Sequence, residues 1–378
     1  MKTIKLYDNN PYMTEFSATV LSCQKTNAGF DVVLDKTCFF PEEGGQASDS
    51  GVIADANVTH VRIEGDVITH TTDKEVSGEV DCKINWDERY DKMQQHTGEH
   101  IVSGIVNRMY GYNNVGFHLG ENDVTFDFDG PLSREQLNEI ELLANDVIYK
   151  NVSVNGYYPS DPSVLEYRSK AGIEGDVRIV EIEGVDKCAC CAPHVKTTGE
   201  VGIIKLLEAG TYKGGVRVHL ACGKRAVLDY QAKFANLETI ATALSSGKNN
   251  TAEYFIKYQQ DVSDLKAQLA KTKAELLELK AKTVIATNGN IVLFEGGLEG
   301  GDLRNFVNAL NDKYTGICAV FSAAKQGGYN FVIAAKNDSL NDICNSLRKE
   351  LFAKCGGNNK MIQGSVNAQK DDIIKIVG

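Results

Sequence analysis

The sequence predicts an α+β protein built in four pieces: a small β-barrel-like N-terminal domain (residues 1–84), a two-layer α+β domain (85–230), a long helix (231–283) and a C-terminal α/β domain (284–378). Three observations predict it. Short apolar runs alternate with the period of strands as far as residue 84, the period changes to that of a helix at Asn85, and a seven-residue apolar repeat starts at Phe255.

The N-terminal piece carries runs such as "FSATVLSCQ" and "FDVVLDKTCFF", joined by the turn residues Thr26-Asn27-Ala28-Gly29. Within it, "FFPEEGGQASDSG" holds Pro41, Gly44, Gly45 and Gly51, a loop rather than a strand. From Asn85 onward, Met93, Ile101, Ile105 and Met109 follow helical spacing up to Gly111, with Asn85 and Glu88 set as a capping box. A second helix opens at Ser133 with Gln136 three residues on, and Leu137, Ile140, Leu143, Ala144 and Val147 form its apolar face. Strands return in "DVRIVEI" and "VGIIKLL", so residues 85–230 read as helices against a mostly antiparallel sheet.

The long helix that follows has two seam positions: Phe255, Val262, Leu269, Leu276 and Thr283, and Tyr258, Leu265, Thr272 and Leu279. That spacing fits a coiled coil or a helix packed back on its own protein. The tail then alternates strand and helix through "NIVLFEGG", "LRNFVNALNDKY", "GICAVFSAA", "YNFVIAA" and "LNDICNSLRKEL".

At 378 residues and 42% hydrophobic content the chain has room for several buried cores. No run of eighteen apolar residues occurs and the start resembles no signal peptide, which points to the cytoplasm and away from the membrane. The ten cysteines are scattered, reading as free thiols or metal ligands, except for the cluster Cys188, Cys190 and Cys191. With 40 Lys and Arg against 51 Asp and Glu, the net charge of −11 excludes a protein that coats nucleic acid non-specifically. Any polynucleotide must be met by local cations, for which Arg168, Lys170, Lys213, Arg217, Lys224, Arg225, Lys354 and Lys360 are the candidates.

The chemistry concentrates in "HTGEH" and "CACCAPH". His96 and His100, four apart on a helix, project side by side, and Cys190 and His194 lie in a turn between strands. Imidazole and thiolate are the donors zinc prefers, and four from two segments make Zn2+ the leading metal. Four protein ligands close a structural site, whereas three leave a place for water or substrate. Thr97 occupies the position where a zinc metalloprotease has its glutamate, which excludes that arrangement. Glu99, about 100° around the helix from His100, reads as a solvated charge.

"HTGEH", "CCAPHVKTTGEVG" with Asp186 upstream, "GGVRVHLACGKRA" and "TCFFPEEGGQASDSG" together resemble the editing domain shared by alanyl-tRNA synthetase and the free-standing AlaX-type editing proteins. The resemblance covers most of residues 1–230, and the tail with "KCGGNNKMIQGS" is similar to the DHH-associated domain that ends the long forms. It implies that His96, His100, Cys190 and His194 bind zinc, with Cys191-Ala192-Pro193 in place of the family's Gly-Gly-Thr. It further implies a trans-editing hydrolase that removes serine or glycine from mischarged alanine tRNA, with Thr37 and Gln46 reading the serine hydroxyl and no assigned role for His118. A homodimer through the long helix and tail is implied as well. The alternative is a zinc-stabilised tRNA-binding protein without catalysis. A DHH phosphoesterase is disfavoured because no Asp-His-His triplet occurs.

Overall fold

The computed structural model describes residues 2–120, 123–169, 177–285 and 289–378, and the chain divides into two compact units, Met1–Leu237 and Glu238–Gly378.

In the first unit, six antiparallel strands close into a barrel in the order Glu15–Thr26, Gly29–Leu34, Val67–Thr72, Ala56–Glu64, Gly51–Ile53 and Glu79–Ile84. The first strand closes the ring because its start pairs with Glu79–Ile84 and its end with Gly29–Leu34. Alternation turns Val32, Leu34, Ile53, Val58, Val61 and Ile68 inward around Phe39 and Phe40, all buried. The Gly-rich loop leaves this barrel and returns to it across a buried ion pair. Asp49 accepts the Phe40 N–H at 2.7 Å and pairs with Arg89 of the helix Trp86–Tyr110, whose guanidinium also donates to the carbonyls of Pro11 and Cys38. Loop and helix are thereby locked together.

That helix and its neighbour Arg134–Lys150 pack on a four-stranded antiparallel sheet, ordered Ile204–Tyr212, Gly215–Cys222, Val124–Phe128 and Asn114–Leu119. Register pairs such as Phe126 with Val218 put the apolar side chains under the helices. A second antiparallel sheet, Val154–Tyr157, Ile179–Ile182 and Asp186–Ala189, carries the cysteine segment out of its last strand. Ser133 and Gln136 form both halves of the expected capping box. At Asn85 the expected box does not form. The Asn85 amide bonds the Glu88 carboxylate at 2.7 Å, Ser50 takes the other Glu88 oxygen, and no side chain caps the helix.

The second unit contains the helix Thr251–Thr283 and a five-stranded sheet ordered Ile291–Glu295, Cys318–Ala323, Tyr329–Ala334, Met361–Val366 and Lys354–Gly357. Only the first pair is parallel, so the tail's alternation of helix and strand yields a mixed sheet. Residues 231–283 are covered by two helices, Gly223–Ala243 and Thr251–Thr283, rather than one. Leu277 and Ala281 pack against the tail's core with Phe306 and Leu310. Phe255, Tyr258, Leu265, Leu269, Leu276 and Leu279 of the heptad seam are exposed.

Candidate metal centre

The helix Trp86–Tyr110 is buried on every face from Gln95 to Val106, so its histidines lie inside the unit. Glycine costs a helix about 1 kcal/mol relative to alanine. The reason for Gly104 is close approach, since a Cβ there would sit 2.6 Å from the Val185 carbonyl and 2.7 Å from Asp186 Cβ. This brings the strand Asp186–Ala189 against the helix and delivers the cysteine turn to the histidines.

His96, His100, Cys190 and His194 converge, their donor atoms all within 4.8 Å of one another. The three imidazole rings stand 4.7–5.3 Å apart, centroid to centroid. Cys190 Sγ lies 3.6 Å from His96 Nε2 and 3.4 Å from His194 Nε2. Tetrahedral bonds of about 2.0–2.1 Å to nitrogen and about 2.3 Å to sulfur separate such donors by about 3.6 Å, the spacing at which Cys190 already stands from His96 and His194.

Each imidazole is anchored through its other nitrogen. His96 Nδ1 donates to Gln46 Oε1 at 2.8 Å and His100 Nδ1 to Asp186 Oδ2 at 3.1 Å, and His194 Nδ1 is hydrogen-bonded to the Thr97 hydroxyl at 3.0 Å. The two acceptor oxygens place the proton on Nδ1 of His96 and His100 and turn their Nε2 atoms to the centre. Asp186 is held in turn by Arg168, whose Nε and Nη2 donate to it at 2.7 Å each. Arg178, itself buried, donates from Nη1 to the carbonyls of Cys190 and Ala192, both at 3.0 Å, and so fixes the cysteine turn. The turn's departure from the family's glycines is thus compatible with the fold, with Ala192 buried in the barrel core.

Charge suits a cation. Burial opposes ionisation of Cys190, but His96 and a hydrogen bond with His100 outweigh it and hold the thiol well below its ordinary value. Burial pushes His194 down to about 3, keeping it a neutral donor. Burial also works against the carboxylate of Asp186, yet His100 and Arg168 bring it to about 2. Cys188 forms a second donor group with His100 and Asp186, but burial pushes its thiol up to about 11 and both partners are already bonded to each other. Cys191 belongs to neither group, and burial raises its thiol.

The centre opens on a cavity of about 1070 Å³ bordered by His96, Glu99, His100, Phe117, Arg168 and Cys190. The Phe117 ring lies 4.7 Å from that of His96, tilted by 39°. The Gly-rich loop adjoins through Gly44, and Gly45, at φ +89°, lets the loop lie so near the strand Asn114–Leu119 that a Cβ would meet the Phe117 carbonyl at 2.3 Å.

Several expected residues stand differently. Gln46 is fully buried and does not border the cavity; its oxygen is committed to His96, while its Nε2 has no partner among the described residues. Thr37 does not border the cavity. It sits in the short strand paired with Lys5, its hydroxyl bonded to His70 at 2.9 Å and to the Phe39 N–H at 3.0 Å. Glu99, expected in solvent, is 4% exposed and lines the cavity, because this helix has no solvated face there. Arg168, Arg217 and Arg225 are tied to Asp186, Asp127 and Asp91, which leaves Lys213, Lys224, Lys354 and Lys360 as the exposed candidates. Lys170 lies outside the described residues. His118 is exposed and away from the cavity. Thr97 and Arg178 carry no signal in the sequence, since their roles depend on partners brought together only by the fold.

Residues 177–219 match the family described as the threonyl and alanyl tRNA synthetase second additional domain, and residues 4–88 match the class II (A) tRNA synthetases. The alanyl-tRNA editing protein Aarsd1-A of Xenopus laevis is 34% identical over 72% of this chain and 71% of its own. This chain belongs to the alanyl-tRNA editing protein family. The alanyl-tRNA editing protein AlaX-L of Pyrococcus horikoshii is 25% identical over 98% of this chain and 96% of its own, so the family likeness spans the C-terminal unit too. An alanine–tRNA ligase of Ignicoccus hospitalis is 32% identical over 76% of this chain, which spans only 33% of that ligase.

Proposed function

We propose that this family member is a hydrolase that deacylates alanine tRNA wrongly charged with serine or glycine, at a Zn2+ centre held by His96, His100, Cys190 and His194. The observation that carries this reading is the convergence of three anchored imidazoles and one thiol, of which His96, His100 and Cys190 border a cavity large enough for a charged tRNA end. A borderline-soft donor set of three nitrogens and one sulfur selects zinc over magnesium or calcium. Zinc in such a shell supplies Lewis acidity to an ester or a water.

The chain's own residues do the rest. Gln46, Asp186 and Thr97 hold the imidazoles, and Arg178 holds the turn. Gln46 Nε2, unpartnered but closed off from the cavity in this structure, would read the serine hydroxyl once the Gly-rich loop admits it, with Thr37 supporting the start of the loop from behind. This donor separates serine from alanine, so correctly charged tRNA escapes; it gives glycine, which also lacks a hydroxyl, no advantage. A site built to hydrogen-bond a hydroxyl discriminates against its absence far better than an apolar pocket separates a methyl from a hydroxymethyl group. Lys2 and Lys5 at the cavity supply local positive charge for terminal phosphates, as an acidic protein requires. The exposed heptad seam of Thr251–Thr283 is the surface through which two copies would pair.

A second reading is favoured by one observation, that four protein donors fill a tetrahedral shell, and makes the ion purely structural in a tRNA-binding protein. Deacylation of seryl-tRNA(Ala) with and without a chelator separates the two. Zinc-dependent release of serine is expected; binding without release supports the structural reading.

A further inference from the structure

The carboxylates bordering the cavity are Asp8, Glu43, Asp66 and Glu99. Asp8 accepts from Tyr158 at 2.9 Å and Asp66 pairs with Lys2 at 3.6 Å. Glu43 adjoins Cys191, whose thiol it helps to hold in the protonated form, and its Oε2 is buried without a partner among the described residues. Glu99 is the carboxylate that stands beside the metal donors. Its Oε1 accepts bonds from Ser103 and, at 2.6 Å, from Asn114, and these two donors fix the side chain. Its Oε2 has no hydrogen-bond partner among the described residues and lies 4.0 Å from His100 Nε2, the nitrogen that faces the metal centre. A carboxylate 4% exposed and held by only one oxygen is an incomplete arrangement, since a buried anion without a full set of donors is costly. Something that enters the cavity should complete it.

The ligand that does so must be cationic, compact and able to donate hydrogen bonds next to the metal centre. The ester of an unmodified amino acid carries such a group on the carbon beside its carbonyl. We propose that Glu99 Oε2 receives the α-ammonium of the aminoacyl group and so orients the ester at the centre. The inference rests on the deacylase reading above. It also assigns the site a specificity: amino acids with a free amine are accepted, and those with a blocked amine, as in peptidyl or formylated tRNA ends, are refused.

The test uses the full chain loaded with zinc and two probes: adenosine carrying serine through a non-hydrolysable 3′-amide, and the same compound N-acetylated. Calorimetry below the ordinary amine pKa of about 8 keeps the first probe charged. The native protein should bind the free amine about 10- to 100-fold tighter than the acetylated form, the span of one charge-assisted hydrogen bond. Glu99→Gln should remove that difference while its zinc content stays at the native level. Equal binding of both probes to the native protein overturns the proposal and leaves the deacylase reading intact, and needs no variant to fold. A Glu99→Gln protein that retains the preference, or that loses its zinc, overturns it as well. A native protein that binds neither probe overturns both.

Discussion

Replacing Asp186 by Asn removes one negative charge from a side chain 2% exposed, with almost no change in shape. The aspartate accepts three bonds, from His100 Nδ1 at 3.1 Å and from Arg168 Nε and Nη2 at 2.7 Å each. A hydrogen bond to a charged group contributes about 1.5–3 kcal/mol and a neutral one about 0.5–1.5, so the His100 bond weakens by about 1 kcal/mol. That alone lowers metal affinity about fivefold. Asn must also choose between accepting from His100 and accepting from Arg168, which loosens the ring's orientation and brings the loss into the roughly 10- to 100-fold span typical of a ligand's lost supporting partner. The Arg168 side chain is 17% exposed and regains some water, which limits the stability loss to about 2 kcal/mol. Competition with a zinc indicator gives the affinity, and urea unfolding of the metal-free proteins gives the stability. An Asp186→Asn protein that folds and holds zinc as tightly as the native chain would refute the reasoning, because His100 could not then be a ligand oriented through this bond.

Cys190→Ser or His96→Ala should reduce bound zinc to background by elemental analysis, whereas Cys188→Ser and Cys191→Ser should retain about one ion per chain; the opposite pattern would relocate the centre. Burial lowers His70 to about 4, below its unfolded value of about 6.5. The stability tied to its neutral form is therefore complete above about pH 6.5, is lost as pH falls toward about 4, and totals about 3 kcal/mol. In urea unfolding of metal-free protein, His70→Asn should lack this part of the acid sensitivity, and parallel pH curves for the two proteins would contradict it. Arg89→Met leaves Asp49 charged and fully buried, so barrel and helix should lose about 3–5 kcal/mol, with Arg89→Met/Asp49→Leu recovering part of it; an additive double variant would show that the pair is not coupled. Light scattering of Leu265→Asp/Leu276→Asp should give half the native mass, and an unchanged mass would count against pairing through the seam.

How much of the molecule is legible in its sequence depends on whether a partner lies one turn away or across the fold. His96 and His100 sit four residues apart, as do Cys190 and His194, and such local spacings already present paired donors; the structure adds that the two pairs meet. The Ser133 capping box is legible for the same reason. Glu99 is not, because helical spacing gives an angle and not an environment: a position 100° from the metal face is solvated only when the helix has a wet side, and Gln95–Val106 has none. The arginines are not either, because a cation in sequence has no visible counter-ion, while Asp186, Asp127 and Asp91 stand 18, 90 and 134 residues from their partners. Gln46 and Thr37 both lie in or beside the Gly-rich motif, yet pleating and the loop's path send one to His96 and the other to His70.

The most direct test of the metal centre is the X-ray absorption edge and extended fine structure of zinc in the purified full chain. The expected result is one ion per chain with three nitrogen neighbours at about 2.0–2.1 Å and one sulfur at about 2.3 Å. A shell with no sulfur, or with two, would contradict the convergence of His96, His100, Cys190 and His194 on a single ion.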